Sequence, residues 1–237
     1  MNNIRTDIAA MLMLGVLSGI PAARASAGVE INHLGVNNTL VRITGDSKYV
    51  LLPVQESNDD AGINILVDGK TDKNIYVKLA KSKVDYYVPF DLTPYKGHDV
   101  ILNIVTTQDR SSIREAKDDA CWKNITLADT FDTTNREKFR PVFHHTPLYG
   151  WMNDPNGMFF KDGEWHLYYQ WNPYGSKWQN MTWGHSSSKD LVNWEHHPAA
   201  IEGNGLGSVF SGSSVVDTEN TAGFGKNAIV SLYTSAG

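Results

Sequence analysis

The sequence predicts an all-β fold in two unlike parts, and two observations predict it. Between Val29 and about Thr107, apolar and β-branched residues alternate in short runs broken by turn-forming residues. From Phe159 onward, strand-like runs recur as antiparallel pairs around Asp162-Gly163, Lys189-Asp190 and Gly223–Gly225.

Before the first part lies a segment that is not expected to join the fold. Ile8 to Ile20 is an apolar run after Arg5, followed by the small residues AARASA. This pattern predicts a secretory signal peptide over residues 1–27, cleaved after Ala25 or Ala27, and the run is too short to span a membrane. No cysteine stands near the cleavage site to carry a lipid anchor. The expectation is a secreted or periplasmic protein with no membrane attachment after cleavage.

Over residues 28–107 the candidate strands are Thr39–Thr44, Tyr49–Val54, Ile63–Val67, Asn74–Leu79, Val84–Phe90 and Asp99–Val105. Turns at Gly45-Asp46, Asp68-Gly69 and Pro94–Gly97 separate them. Six or seven short strands at this spacing predict a small β-sandwich. Residues 108–140 are polar and mixed in charge, which predicts a connector with a short helix near Ile113–Lys117. In residues 141–237, Phe159–Lys161 and Glu164–Gln170 form a predicted hairpin. Met181–Ser187 with Asn193–His196 and Ser213–Val216 with Ala228–Thr234 add two further pairs. Four-stranded antiparallel units in succession predict propeller blades.

Composition narrows the function. The chain has 237 residues, 21 basic and 26 acidic, for a net charge of −5, which disfavours nucleic acid as a partner. A single cysteine, Cys121, excludes an internal disulfide framework and reads as a buried structural thiol. Six of the seven tryptophans lie between Trp151 and Trp194, a clustering that suits a packed core or a site that stacks sugar rings. Asp59 and Asp60 read as an acidic loop. The pairs His144-His145 and His196-His197 read as packing or surface residues, because no metal-site spacing accompanies them. Asn37, Asn124 and Asn180 each begin an N-x-T sequon.

The stretch Asn153-Asp154-Pro155-Asn156-Gly157 is the strongest candidate for chemistry. Pro155 drives Asp154 out of the helical region into an extended conformation. Asn156-Gly157 then predicts a sharp turn. Asp154 is therefore expected at a strand edge facing an open cavity, with Asn153 and Gln170 nearby. An isolated Asp-Pro more often stabilises a turn, so the surrounding residues carry the weight.

Those residues are His145, Pro147, Gly150, Trp151 and the Asn153–Gly157 run, then Tyr169-Gln170 with Asn172-Pro173, and Trp178. Trp183-Gly184-His185 with Asp190-Leu191, and Phe210-Ser211-Gly212-Ser213, complete the series. In this order they resemble the signature of glycoside hydrolase family 32, the invertases, inulinases and levanases that cleave β-fructofuranosides. The resemblance runs from about Phe143 to Gly237. It implies a five-bladed propeller with a funnel-shaped pocket, a retaining mechanism with Asp154 as nucleophile, and no cofactor or metal. It also implies that Asn153, Gln170, Trp178, Phe210 and Ser211 line the fructose-binding subsite, with a fructan or sucrose as substrate.

Two family motifs do not occur here. One is an Arg-Asp-Pro, whose aspartate helps hold the substrate, and the other a Glu-Cys, whose glutamate is the acid/base. Five blades of roughly 40–50 residues each need far more than the 97 residues that follow Arg140. The expectation is a chain truncated in its second blade and inactive alone, after an N-terminal sandwich similar to accessory domains of some bacterial members. A non-catalytic carbohydrate-binding protein and a fructosyltransferase are the open alternatives.

Overall fold

A computed structural model describes residues 28–106, 116–134, 139–204 and 206–237. The expected signal peptide lies outside the described residues, as does most of the predicted Ile113–Lys117 helix; its last two residues fall in a 3-10 turn, Ala116–Asp118. The protein is all-β, with strands joined in antiparallel sheets.

The first part contains β1 (Val29–His33), β2 (Asn38–Ile43), β3 (Tyr49–Val54), β4 (Ala61–Val67), β5 (Lys70–Val77), β6 (Tyr86–Asp91), β7 (Val100–Val105) and β8 (Thr126–Ala128). Five strands form one sheet in the order β1-β2-β7-β4-β5, and three form a second in the order β6-β3-β8. Alternation decides which side chains face inward. Ala61, Ile63 and Ile65 of β4 and Val100, Leu102 and Ile104 of β7 are buried, and they meet Val50, Leu52 and Val54 of β3 in one core. Burying each such side chain contributes on the order of 1.5–3 kcal/mol against exposure. The Asp68-Gly69 turn closes the β4–β5 hairpin with both residues at positive φ, 50° and 77°.

Two strands and a helical turn depart from the predicted elements. β1 pairs with β2 and β8 pairs with β3, although neither was among the candidate strands. The single-turn α1 (Cys121–Asn124) sits inside the predicted connector and buries Cys121 and Trp122, so part of that polar stretch closes the core. Cys121 is buried, as expected of a structural thiol.

In the second part, β9 (Trp151–Lys161), β10 (Glu164–Asn172), β11 (Thr182–Ser188) and β12 (Glu195–Ile201) form a four-stranded sheet in the order β12-β11-β10-β9. The predicted Asp162-Gly163 turn joins β9 to β10, again with both residues at positive φ. β12 starts two residues later than expected, because Lys189–Trp194 make a wider loop. The Asp190 carboxylate holds that loop, accepting hydrogen bonds from the N–H groups of Val192 (2.9 Å) and Asn193 (2.7 Å). A hairpin of β13 (Ser208–Asp217) and β14 (Ala228–Ala236) packs against this sheet. Trp183, fully buried, joins Phe159, Tyr168 and Val209 in a core that ties β13 to the sheet.

Candidate active site

The expected sharp turn at Asn156-Gly157 does not form. β9 runs through it, and the motif is accommodated by two irregularities in pairing with β10. At the first, Gly157 and Met158 oppose the single residue Leu167. Gly157 has φ of +57°, and a Cβ there would lie 2.9 Å from both Tyr168 and Ser214. Glycine thus makes a bulge rather than a reversal, because flanking β-pairing holds the strand direction. At the second, Asn153 and Asp154 oppose the single residue Gln170. A bulge of this kind re-aims side chains, and here it carries the Asp154 carboxylate to solvent.

β13 repeats the device. Its pairing with β14 jumps from Val209–Ser235 to Gly212–Tyr233, so Phe210 and Ser211 oppose only Thr234. The two bulged dipeptides meet. Ser211 Oγ donates to Asp154 Oδ2 at 2.9 Å, and Asn153 Nδ2 donates to Oδ1 at 3.2 Å, so each carboxylate oxygen has its own donor. Asn156 Nδ2 reaches the Asp154 carbonyl at 3.2 Å. Trp183 Nε1 donates to the Phe210 carbonyl at 3.1 Å and so fixes the second bulge from beneath.

Among the residues around Asp154, three buried side-chain atoms have no hydrogen-bond partner among the described residues: Gln170 Nε2, Asn153 Oδ1 and Asn156 Oδ1. A buried polar group left unpaired costs about 1–3 kcal/mol, so such a cluster is poised for water or a hydroxyl-rich ligand. Trp178 and Phe210 stand edge to face with centroids 6.0 Å apart, and Trp178 is 52% exposed. Asp154, Asn153, Ser211, Phe210 and Trp178 are linked by direct contacts, and Gln170 lies opposite the Asn153-Asp154 bulge. Asn156 and Trp183 support the site in ways that the local sequence does not display, because the bulges they hold form only through pairing with neighbouring strands.

Five of the seven carboxylates that follow Asp154 are engaged elsewhere. Asp162 pairs with Lys161, Glu164 with Lys189, and Glu202 with Lys73. Asp190 and Asp217 cap loops, and both are held below the ordinary carboxylate range by hydrogen bonds. The donors are chiefly the N–H of Asn193 for Asp190 and the N–H of Ala222 for Asp217.

Histidines line both faces of the four-stranded sheet. On one, His145 and His196 both bond Ser186 Oγ, and on the other His166 meets His185 at 3.0 Å, with the His197 ring tilted against His185 beyond. Burial, reinforced by neighbouring histidines, lowers His145 and His185 to about 4. Among the described residues no group of three or more His, Cys, Asp or Glu is placed to hold a metal ion. No described helix is long and apolar enough to cross a membrane.

Residues 144–237 match the glycosyl hydrolases family 32 N-terminal domain, and residues 35–143 match a domain of unknown function, DUF4980. A levanase of Bacillus subtilis is 54% identical over 117 residues, covering 46% of this chain and 17% of the levanase. Invertase 2 of Saccharomyces cerevisiae is 50% identical over 101 residues, covering 40% of this chain and 19% of the invertase. The crystal structure of an exo-inulinase from Aspergillus awamori aligns with a TM-score of 0.38 at 42% identity, covering 43% of this chain and 21% of that one. The chain thus spans about a fifth of the length of the curated relatives it matches. Residues 144–237 are thus similar to the N-terminal domain of the glycosyl hydrolases of family 32.

Proposed function

We propose that this chain is part of an exported enzyme that hydrolyses β-fructofuranosidic bonds in fructans or sucrose with retention, and that Asp154 is its nucleophile. One observation carries the reading. An exposed carboxylate has each oxygen held by a separate donor, close to unpaired buried amide groups and to an aromatic pair of which Trp178 is exposed. Ser211 and Asn153 fix the carboxylate's orientation, so attack needs no rearrangement of the nucleophile. A carboxylate oxygen bonds to the anomeric carbon of the fructosyl unit as the glycosidic C–O bond breaks, and the departing oxygen takes a proton from a carboxylic acid. Water then attacks the anomeric carbon of this intermediate, giving a proton to that same group, now a carboxylate, as the bond to the Asp154 oxygen breaks. No described residue is assigned this acid/base role. Gln170, Asn153 and Asn156 offer amide groups to sugar hydroxyls, and Trp178 and Phe210 offer apolar faces to the ring.

The test is fructose release from levan, inulin and sucrose by the complete gene product, comparing the parent with Asp154→Asn. The amide keeps the shape and an acceptor for Ser211 but cannot act as the nucleophile. Loss of turnover with an unchanged thermal midpoint is expected. Turnover near the parent rate would return Asp154 to a structural role. Sugar binding by a parent that releases no fructose would instead favour a carbohydrate-binding protein.

A further inference from the structure

Residues 173–181, the loop between β10 and β11, carry Trp178 to the candidate site, yet much of what holds this loop belongs to the N-terminal sandwich. Tyr174 at its start packs on the sandwich core, its ring 6.3 Å from that of Phe90, and burial pushes its hydroxyl well above the usual phenol range. Ser176 lies close enough to the Glu56 carboxylate to help hold it below the ordinary range, and that carboxylate accepts from Tyr86 at 2.7 Å. Asn180, near the end of the loop, makes the tightest link. Its Oδ1 accepts from the N–H of Tyr76 and its Nδ2 donates to the carbonyl of Tyr76, both at 2.8 Å.

Tyr76 lies on β5, an edge strand of the five-stranded sheet, so the Asn180 amide fills the place of a neighbouring strand for one residue. Asn180 adopts a positive φ of 49°, which asparagine tolerates better than most side chains do. Within the second part, the organising group is Asn172. Its Oδ1 accepts from Asn180 Nδ2 (3.0 Å) and the N–H of Tyr174 (3.0 Å), while its Nδ2 donates to the carbonyl of Lys177 (2.8 Å). Trp178, between these anchors, turns back to meet Phe210.

We propose that the N-terminal sandwich seats one aromatic wall of the sugar site: it clamps the 173–181 loop through Tyr76–Asn180 and Phe90–Tyr174, and thereby sets Trp178 against Phe210. This gives the sandwich a positioning role in the same molecule and makes Asn180 a positioning residue. It also places the Asn180 side chain in a set of three hydrogen bonds that N-glycosylation of its sequon would disrupt. The consequence for sugar binding rests on the function proposed above, but the seating of Trp178 does not.

The experiment reads Trp178 directly. Its emission is the difference between the full chain and its Trp178→Phe counterpart, followed with iodide as quencher. The same difference is taken in Asn180→Gly, which keeps the backbone at ease but removes the clamp, and in Lys73→Met. Lys73→Met breaks the Lys73–Glu202 ion pair at the same junction and removes the ammonium from over the Phe90 ring, but leaves the Asn180–Tyr76 hydrogen bonds in place. Asn180→Gly is expected to redden the Trp178 emission and raise its quenching, whereas Lys73→Met leaves both at the parent value. Should Asn180→Gly fail to fold, Asn180→Asp, which retains the acceptor for the N–H of Tyr76, gives the same comparison with a smaller shift. A parent-like Trp178 signal in the folded clamp variant, or an equal change in Lys73→Met, overturns the proposal. In the complete gene product the clamp variant should raise KM for fructan with kcat little changed. Absence of turnover in the parent would defeat the proposed function alone, because the quenching result still decides the seating of Trp178.

Discussion

At the residue scale, Ser211 is the informative neighbour of Asp154 because it arrives from a different hairpin, 57 positions along the chain. A hydrogen bond to a charged group is worth about 1.5–3 kcal/mol, of which only the part present in the transition state affects rate. Ser211→Ala should therefore lower kcat/KM for fructose release by about tenfold or more and leave the thermal midpoint within a degree or two, since Ser211 is only partly buried. Steady-state kinetics on the complete gene product checks this, and an unchanged kcat/KM would remove Ser211 from the site. Asp154, Asn153 and Ser211 were legible in the sequence because their motifs keep residue type and order. Asn180 was not, since N-x-T reads as a sequon and nothing local shows that its amide pairs with Tyr76, 104 positions earlier.

At the scale of elements, strands were legible where alternation ran for six residues, as in β3 and β7, and were lost where it was short. β8 has three residues beside a polar stretch, and pairing with β3 rather than its own pattern makes it a strand. The β9 bulges were invisible for a related reason: Pro155, Asn156 and Gly157 favour a turn locally, and only the flanking ladder converts it to bulges. The histidines across β10, β11 and β12 make these elements sensitive to pH. His145 and His185 are held at about 4 against an ordinary 6.5, so between those values the folded state binds fewer protons than the unfolded chain. Stability should be flat above about pH 6.5 and fall as pH drops toward about 4. The lowered carboxylates Asp190 and Asp217 act only near and below their ordinary value of 3.8, outside most of that window. Urea unfolding of residues 28–237 followed by tryptophan emission, to which six of the seven tryptophans contribute from the second part, should show equal midpoints at pH 8 and 7 and a lower one at pH 5. A midpoint that rises on acidification would contradict the buried neutral histidines.

At the scale of the whole molecule, the two parts differ in how completely they cover their apolar surface. In the sandwich, both sheets close on one continuous core that α1 helps to seal. The β13–β14 hairpin buries only one face. Val216 packs against the core that includes Trp183, while on the other face Val215 is 59% and Leu232 76% exposed, with Val230 beside them across the register. Adjacent β-branched and aliphatic residues on an exposed two-stranded ribbon favour pairing between copies, through both apolar contact and unpaired strand edges. Residues 28–237 should therefore self-associate as concentration rises, while Val215→Thr with Leu232→Glu stays dispersed. Both substitutions lie on the solvent side, so neither disturbs the Trp183 core, and the added carboxylate opposes association. Light scattering across a concentration series distinguishes the two proteins, with circular dichroism confirming an unchanged strand content. A parent that scatters as a monomer throughout would mean that the apolar face is too small to drive association. Equal association in the variant would move the contact to another surface, such as the exposed Phe139, Val142 and Phe143 segment ahead of β9.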